Sequence, residues 1–138
     1  MSDITRFSVS MDAELLELFL DRCRRHGYEN QSEALRDLIR ESLVKEEWAS
    51  GEEIVGTITL VYDHHKRELT RRLTRVQHDF HDLMLSTLHI HLDHDNCLEI
   101  IAVKGAADRV QQVADALIGT RGVKHGKLSA TTTGKKLR

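Results

Sequence analysis

Residues 5–11 read Thr-Arg-Phe-Ser-Val-Ser-Met, with polar and apolar side chains in strict alternation. That period specifies a half-buried strand, with Phe7, Val9 and Met11 turned to a core and Arg6, Ser8 and Ser10 to the other side. No second strand pattern follows before residue 54. Instead Asp12 caps a helix whose apolar positions Leu16, Phe19, Leu20 and Cys23 repeat at helical spacing, and Gly27 stops it. Asn30 and Glu33 have capping-box spacing at the start of a second helix, with an apolar stripe of Leu35, Leu38, Ile39 and Leu43 running to about Trp48. A lone strand cannot pair its own N–H and C=O groups, and about 48 residues bury too little surface to stand alone. Both deficits vanish if two copies pair their strands antiparallel and interlock their helices, so this segment is expected to be an obligate dimer.

The remainder has a different rhythm. Ser50, Gly51, Glu52 and Glu53 form a short linker, and Ile54–Tyr62 is a strand rich in β-branched residues. His64–Phe80 is expected to be helical, with Leu69, Leu73, Val76 and Phe80 inside and Lys66, Arg67, Arg71, Arg72 and Arg75 outside. Leu83–Asp93 and Cys97–Lys104 read as strands joined by Asp93-His94-Asp95-Asn96, Asp108–Ile118 as a helix stopped by Gly119, and Val123–Thr131 as a last strand. The order β-α-β-β-α-β is that of a ferredoxin-like sandwich, the layout that regulatory ACT domains share. The chain is therefore expected to be α+β, with a strand-helix-helix domain over 1–48, a linker over 49–53, an ACT-like domain over 54–133 and a loose tail over 134–138.

Other classes fall away on composition. Proline is absent, and no apolar run approaches the ~18–20 residues that cross a bilayer. The polar start Met1–Arg6 leads into no apolar stretch, so a signal peptide is not expected and the location is expected to be cytoplasmic. Two cysteines make no disulfide framework. A net charge of −2 argues against a general nucleic-acid coat, but sequence-specific DNA binding needs only a local basic stripe.

Histidine is the outlier, because seven of the nine (His64, His65, His78, His81, His89, His91 and His94) fall between residues 64 and 94. In His89-Ile90-His91 the two imidazoles lie on one side of a strand, about 6–7 Å apart along it. If the hairpin loop is odd in length, 91 pairs with 97 and 89 with 99, putting His89, His91, Cys97 and Glu99 on one face. Imidazoles plus one thiolate suit nickel, copper, zinc or cobalt, and not magnesium or calcium. His78 is the expected fourth ligand, and a histidine from another subunit would link metal binding to assembly. A planar donor set would favour Ni(II) or Cu(II) and a tetrahedral one zinc, and the sequence leaves both open. Cys23 completes an apolar stripe and belongs to a core.

A two-stranded ribbon fits the DNA major groove. On such a ribbon Arg6 could contact guanine, with Ser8 and Ser10 donating or accepting beside it. Asn30, Gln31 and Ser32, at a helix N-terminus, offer N–H groups to a phosphate. Two other readings fit the same residues. One is a regulator sensing another transition metal or a small molecule through its ACT-like domain. The other is a metallohydrolase with Glu99 as general base, which lacks a second carboxylate or oxyanion donors.

Nearly the whole chain resembles the nickel-responsive regulator family NikR. The likeness is carried by Gly27-Tyr28-Glu29-Asn30-Gln31-Ser32-Glu33-Ala34, by Tyr62 through Glu68, and by Gln77-His78 through Thr87-Leu88-His89-Ile90-His91 to Cys97-Leu98-Glu99. The resemblance implies a non-enzymatic repressor with ribbon-helix-helix dimers flanking a tetrameric core of ACT-like domains. It further implies one Ni(II) per subunit in a square-planar site of His89, His91 and Cys97 with His78 of the neighbouring subunit, nickel favouring operator DNA binding and repression of nickel-uptake genes. By the same likeness Arg6, Ser8 and Ser10 would read bases, Lys66 and Arg67 would touch the phosphate backbone, and Glu33 with Asp37 would help hold a cation. Serines stand where threonines are common in the family.

Overall fold

The computed structural model describes residues 3–137; Met1, Ser2 and Arg138, the outermost residues of the expected DNA-binding domain and tail, lie outside them. Two compact units divide the chain, the first reaching to Leu43 and the second spanning Val44–Lys135. The second unit thus takes in the end of the second helix, ahead of the linker read from the sequence.

In the first unit, α1 spans Ala13–Arg25 and α2 begins at Gln31 and runs to Ala49. The Asp12 carboxylate accepts from the Glu14 N–H at 3.0 Å and the Leu15 N–H at 3.4 Å, satisfying donors that a helix start leaves open. At the other end Gly27 takes φ 75°, and the Tyr28 and Gly27 N–H groups donate to the Cys23 and Arg24 carbonyls at 3.0 and 3.1 Å. That is a Schellman closure, which glycine enters without a Cβ penalty. Asn30 caps α2 by accepting from the Glu33 N–H at 2.8 Å. The reciprocal half of the expected capping box does not form, because the Glu33 carboxylate is paired with Arg36 one turn on. Cys23 is buried, as its place in the stripe requires.

Residues 3–12 carry no strand assignment, and Phe7, Val9 and Met11 are 67%, 59% and 43% exposed. The expected strand is therefore not formed within one chain. A ladder needs a second strand, and this unit offers none among its described residues.

The second unit builds the expected sandwich. β1 (Glu53–Asp63), α3 (Arg67–Asp79), a single 3₁₀ turn (His81–Leu83), β2 (Met84–His91), β3 (Asn96–Ala106), α4 (Ala107–Ile118) and β4 (Val123–Thr132) follow in order. The sheet is antiparallel throughout, ordered β2-β3-β1-β4. Its core is one cluster in which Ile54, Ile58, Leu60 and Tyr62 of β1 and Ile101 and Val103 of β3 meet Leu69 and Leu73 of α3 and Val110, Val113 and Leu117 of α4. The opposite sheet face is uncovered, with Leu88 55%, Ile90 39% and Leu92 53% exposed.

Boundaries shift by local chemistry. α3 starts at Arg67 rather than His64, because the Asp63 carboxylate takes the His65 N–H at 2.9 Å and the Asp63 carbonyl takes the Lys66 N–H at 3.3 Å, closing a turn first. Leu83 belongs to the 3₁₀ turn, and β2 ends at His91 rather than Asp93. Glu53, assigned to the linker in the sequence, opens β1. Among the described residues no helix is long and apolar enough to cross a membrane.

Candidate metal centre and nucleic-acid surface

The β2–β3 register sets the site. His91 stands opposite Cys97 and His89 opposite Glu99, so all four side chains belong to one face, the face that α3 and α4 cover. Asp93 makes this register possible at the hairpin tip. Its Oδ1 accepts from the N–H groups of Asp95 and Asn96 at 2.9 and 2.8 Å, and the Leu92 N–H closes on the Asn96 carbonyl at 2.9 Å. Those donors hold the Asp93 carboxyl below the usual carboxylate range, the backbone N–H of Asn96 foremost.

Cys97 and Glu99 lie at the floor, 1% and 2% exposed, while His89 is half-open above them. Glu99 is the one described carboxylate so fully enclosed on this sheet, and it is well partnered. The Tyr62 hydroxyl donates to Oε1 at 2.7 Å, the Gln77 amide donates to Oε2 at 3.0 Å, and His89 Nε2 stands 3.5 Å from Oε2. Burial, then the bond to Glu99, pushes the Tyr62 phenol far above its usual value, so it remains a donor. Burial likewise raises the Cys97 thiol, with a Tyr62 hydrogen bond partly opposing. Tyr62 and Gln77 were not singled out in the sequence; the signal was Tyr62's register opposite Cys97, which exists only once β1 pairs with β3.

The donor chemistry fits a borderline transition metal: two imidazoles and a thiol on a dry floor, with no carboxylate free to favour a harder ion. Within one chain the donors share a face without being drawn to one point. His89 leans on Glu99, and the His91 ring lies 4.6 Å from that of His64. Among the described residues the group whose donor atoms all fall within 4.8 Å of one another is instead His65, His94 and Asp95. His78 is exposed in the last turn of α3, its ring 6.2 Å from that of His81. Glu99 is 2% exposed and accepts a hydrogen bond on each oxygen, an enclosed setting that suits a positioning carboxylate better than the general base of a hydrolase.

The other candidate residues are distributed as follows. Arg6, Ser8 and Ser10 are exposed in the N-terminal segment, which carries no strand assignment. Asn30 serves as the α2 cap, and Ser32 is exposed in the first turn. Lys66 and Arg67 open α3, both exposed, in a cleft that also takes in Arg72 and Arg121. Glu33 is paired with Arg36, while Asp37 accepts from the Tyr28 hydroxyl at 2.6 Å and from Arg40 at 3.1 Å, which hold its carboxyl below the usual range.

Residues 55–131 match the family model for the NikR C-terminal nickel-binding domain, and residues 5–46 match that of ribbon-helix-helix proteins of the copG family. Proteins named "Putative nickel-responsive regulator" are similar over the whole length. That of Desulfovibrio desulfuricans is 56% identical over 137 residues, covering 99% of each chain. Those of Solibacter usitatus and Geobacter sulfurreducens are each 55% identical, covering 100% and 99% of both chains respectively. Among solved structures, an uncharacterised protein of Thermotoga maritima superposes with a TM-score of 0.52 at 16% identity, covering 57% of this chain and 98% of that one, which is a likeness of fold. With both halves matched in order and the relatives collinear from end to end, the chain belongs to the NikR family of nickel-responsive regulators, a family of DNA-binding regulators and not of enzymes.

Proposed function

We propose that this chain is a nickel-responsive DNA-binding repressor of nickel-uptake genes, acting in the cytoplasm as a homotetramer with one Ni(II) per subunit. The observation that carries the metal half is the hairpin register, which gives His89, His91 and Cys97 one side of the sheet over a buried floor. Bound Ni(II) would supply a link between subunits through His78 of the neighbouring subunit. What the chain itself contributes is orientation: Glu99, fixed by Tyr62 and Gln77, stands where it can receive the His89 N–H and hold that imidazole in one tautomer. Gln77 lies next to His78, so the same carboxylate ties the end of α3 to the ligand strand.

Assembly is supported by two uncovered apolar surfaces. Phe7, Val9 and Met11 suit an antiparallel ribbon between two copies. Leu88, Ile90 and Leu92 suit sheet-to-sheet packing of the ACT-like domains over about 54–133. In that dimer Arg6, Ser8 and Ser10 face the major groove. Asn30 and Ser32 present a helix N-terminus to phosphate, and Lys66 and Arg67 add backbone contacts. Glu33 and Asp37 would help hold a cation that stabilises the DNA-competent arrangement. Nickel occupancy shifts the population toward that arrangement, and by reciprocity operator DNA tightens nickel binding.

Cys97→Ala tests the reading. Nickel stoichiometry by elemental analysis and nickel-dependent operator binding by gel shift should both collapse. Metal-dependent repression that survives intact refutes the assigned ligand set. A Ni–thiolate charge-transfer band in the wild type, absent on zinc loading, separates the planar thiolate site from sensing of another ligand.

A further inference from the structure

We propose that the groove between the end of α2, α4 and the edge strand β4 binds a small aromatic carboxylate, at a place that shares no residue with the metal ligands. Every residue lining it lies in the second unit. The groove measures about 490 Å³, inside the ~300–1,000 Å³ that small-molecule sites occupy. α2 contributes Val44 and Trp48, α4 contributes Gln111 and Ile118, and β4 contributes Lys127 and Leu128.

The walls stand without a ligand. Trp48, Ile118 and Leu128 pack against the edge of the core and stay partly exposed, so each has apolar surface left for the groove. Trp48 borders a second cleft as well, of about 210 Å³, beside Ala107. The last turns of α2 are held to the sheet by Glu47, whose buried carboxylate accepts from the Thr132 hydroxyl at 2.7 Å. The Ser50 hydroxyl donates to the Glu47 carbonyl at 2.9 Å and closes the helix end. Those bonds fix the turn that carries Trp48 and engage the Glu47 charge, which is not part of the lining.

Charge selects the head of the ligand. The two charged side chains of the lining, Lys45 and Lys127, are both cations, and no carboxylate belongs to it. Lys127 is exposed on β4, its ammonium without an ion-pair partner among the described residues. Gln111 donates to Asp115 at 2.8 Å, which leaves Lys127 as the stronger donor for an incoming acceptor. A charge-assisted bond from ammonium to carboxylate is roughly twice as strong as a neutral one, so an acid is favoured over its amide. Trp48 selects the body, because an indole gains from an offset or edge-on ring what it does not gain from an alkyl chain. One ring bearing one carboxylate meets both demands. Bound there, it would bridge α2, α4 and β4 and hold the last turns of α2 on the sheet, a second input beside nickel.

Trp48 is the one tryptophan of the chain, so its emission reports on the groove directly. Titration of metal-free, full-length protein with phenylacetate should change that emission saturably, and the nickel site plays no part in the result. Phenylacetamide, the neutral isostere, should bind at least roughly tenfold more weakly, and hexanoate, which keeps the charge without a ring, several-fold more weakly. Lys127→Glu should weaken phenylacetate by at least roughly tenfold and Lys127→Gln by less. The comparison of probes on the wild type stands even if a variant fails to fold. No saturable change, equal affinity for phenylacetamide or for hexanoate, or unchanged binding in folded Lys127→Glu would each overturn the site.

Discussion

Removing one oxygen atom, in Tyr62→Phe, probes how the ligand face is built. Tyr62 and Glu99 are each 2% exposed, and their 2.7 Å hydrogen bond is one of two donor contacts to a carboxylate that solvent does not reach. A hydrogen bond to a charged group contributes about 1.5–3 kcal/mol, and a buried acceptor left short of a donor costs at the upper part of that range. We expect a loss near 2 kcal/mol in urea unfolding of metal-free protein at one fixed protein concentration, since assembly makes stability concentration-dependent. In a unit of this size each kcal/mol moves the thermal midpoint by about 4–8 °C. Glu99→Gln keeps the acceptor and lowers its charge, so Tyr62→Phe in that background should cost only about 1 kcal/mol, a coupling of about 1 kcal/mol in the cycle. A loss below about 0.5 kcal/mol for Tyr62→Phe alone, or strict additivity, would mean that the carboxylate is solvated and the phenol is merely adjacent.

Gly126→Ala would place a Cβ 2.6 Å from Ile118 Cγ1 and 3.1 Å from Leu60 Cδ2, so the Ile118 side chain or α4 itself must shift; calorimetry should show a loss of about 1–3 kcal/mol, and no loss would mean that Ile118 repacks without strain. Asp82 is held below the usual carboxylate range by Arg109, so its contribution is complete above the unfolded value of about 3.9 and disappears as pH falls through the lower folded value. Asp82→Asn should accordingly flatten the acid limb of stability against pH, and an unchanged limb would show that the Arg109 pair does not persist in solution.

The shared face of the β2–β3 hairpin was legible because strand period and loop parity are local properties: His89, His91 and Cys97 needed only a turn of the right length to fall on one side. The β-α-β-β-α-β order was legible for the same reason, each element carrying its own period of two or 3.6. What the sequence hid depends on contacts between distant segments. Tyr62 became part of the site only through pairing of β1 with β3, and Gln77 only through the packing of α3 on that sheet. The start of α3 was misplaced because Asp63, His64 and His65 are compatible with a helix until the Asp63 side chain captures a backbone N–H. The N-terminal alternation shows the opposite limit, since a period of two states which face is apolar but cannot supply the second strand within one chain.

The way the hairpin tip is tied has an implication for how relatives can differ. With His91 facing Cys97 across Leu92–Asn96, gaining or losing a single residue there would rotate one arm by half a period and send a histidine pair and the thiol to opposite surfaces. Natural length variation at this tip should therefore come in twos, or be absorbed by a compensating bulge. A homologue that keeps every donor yet differs by one residue between them should be tested for metal before it is credited with the same trigger.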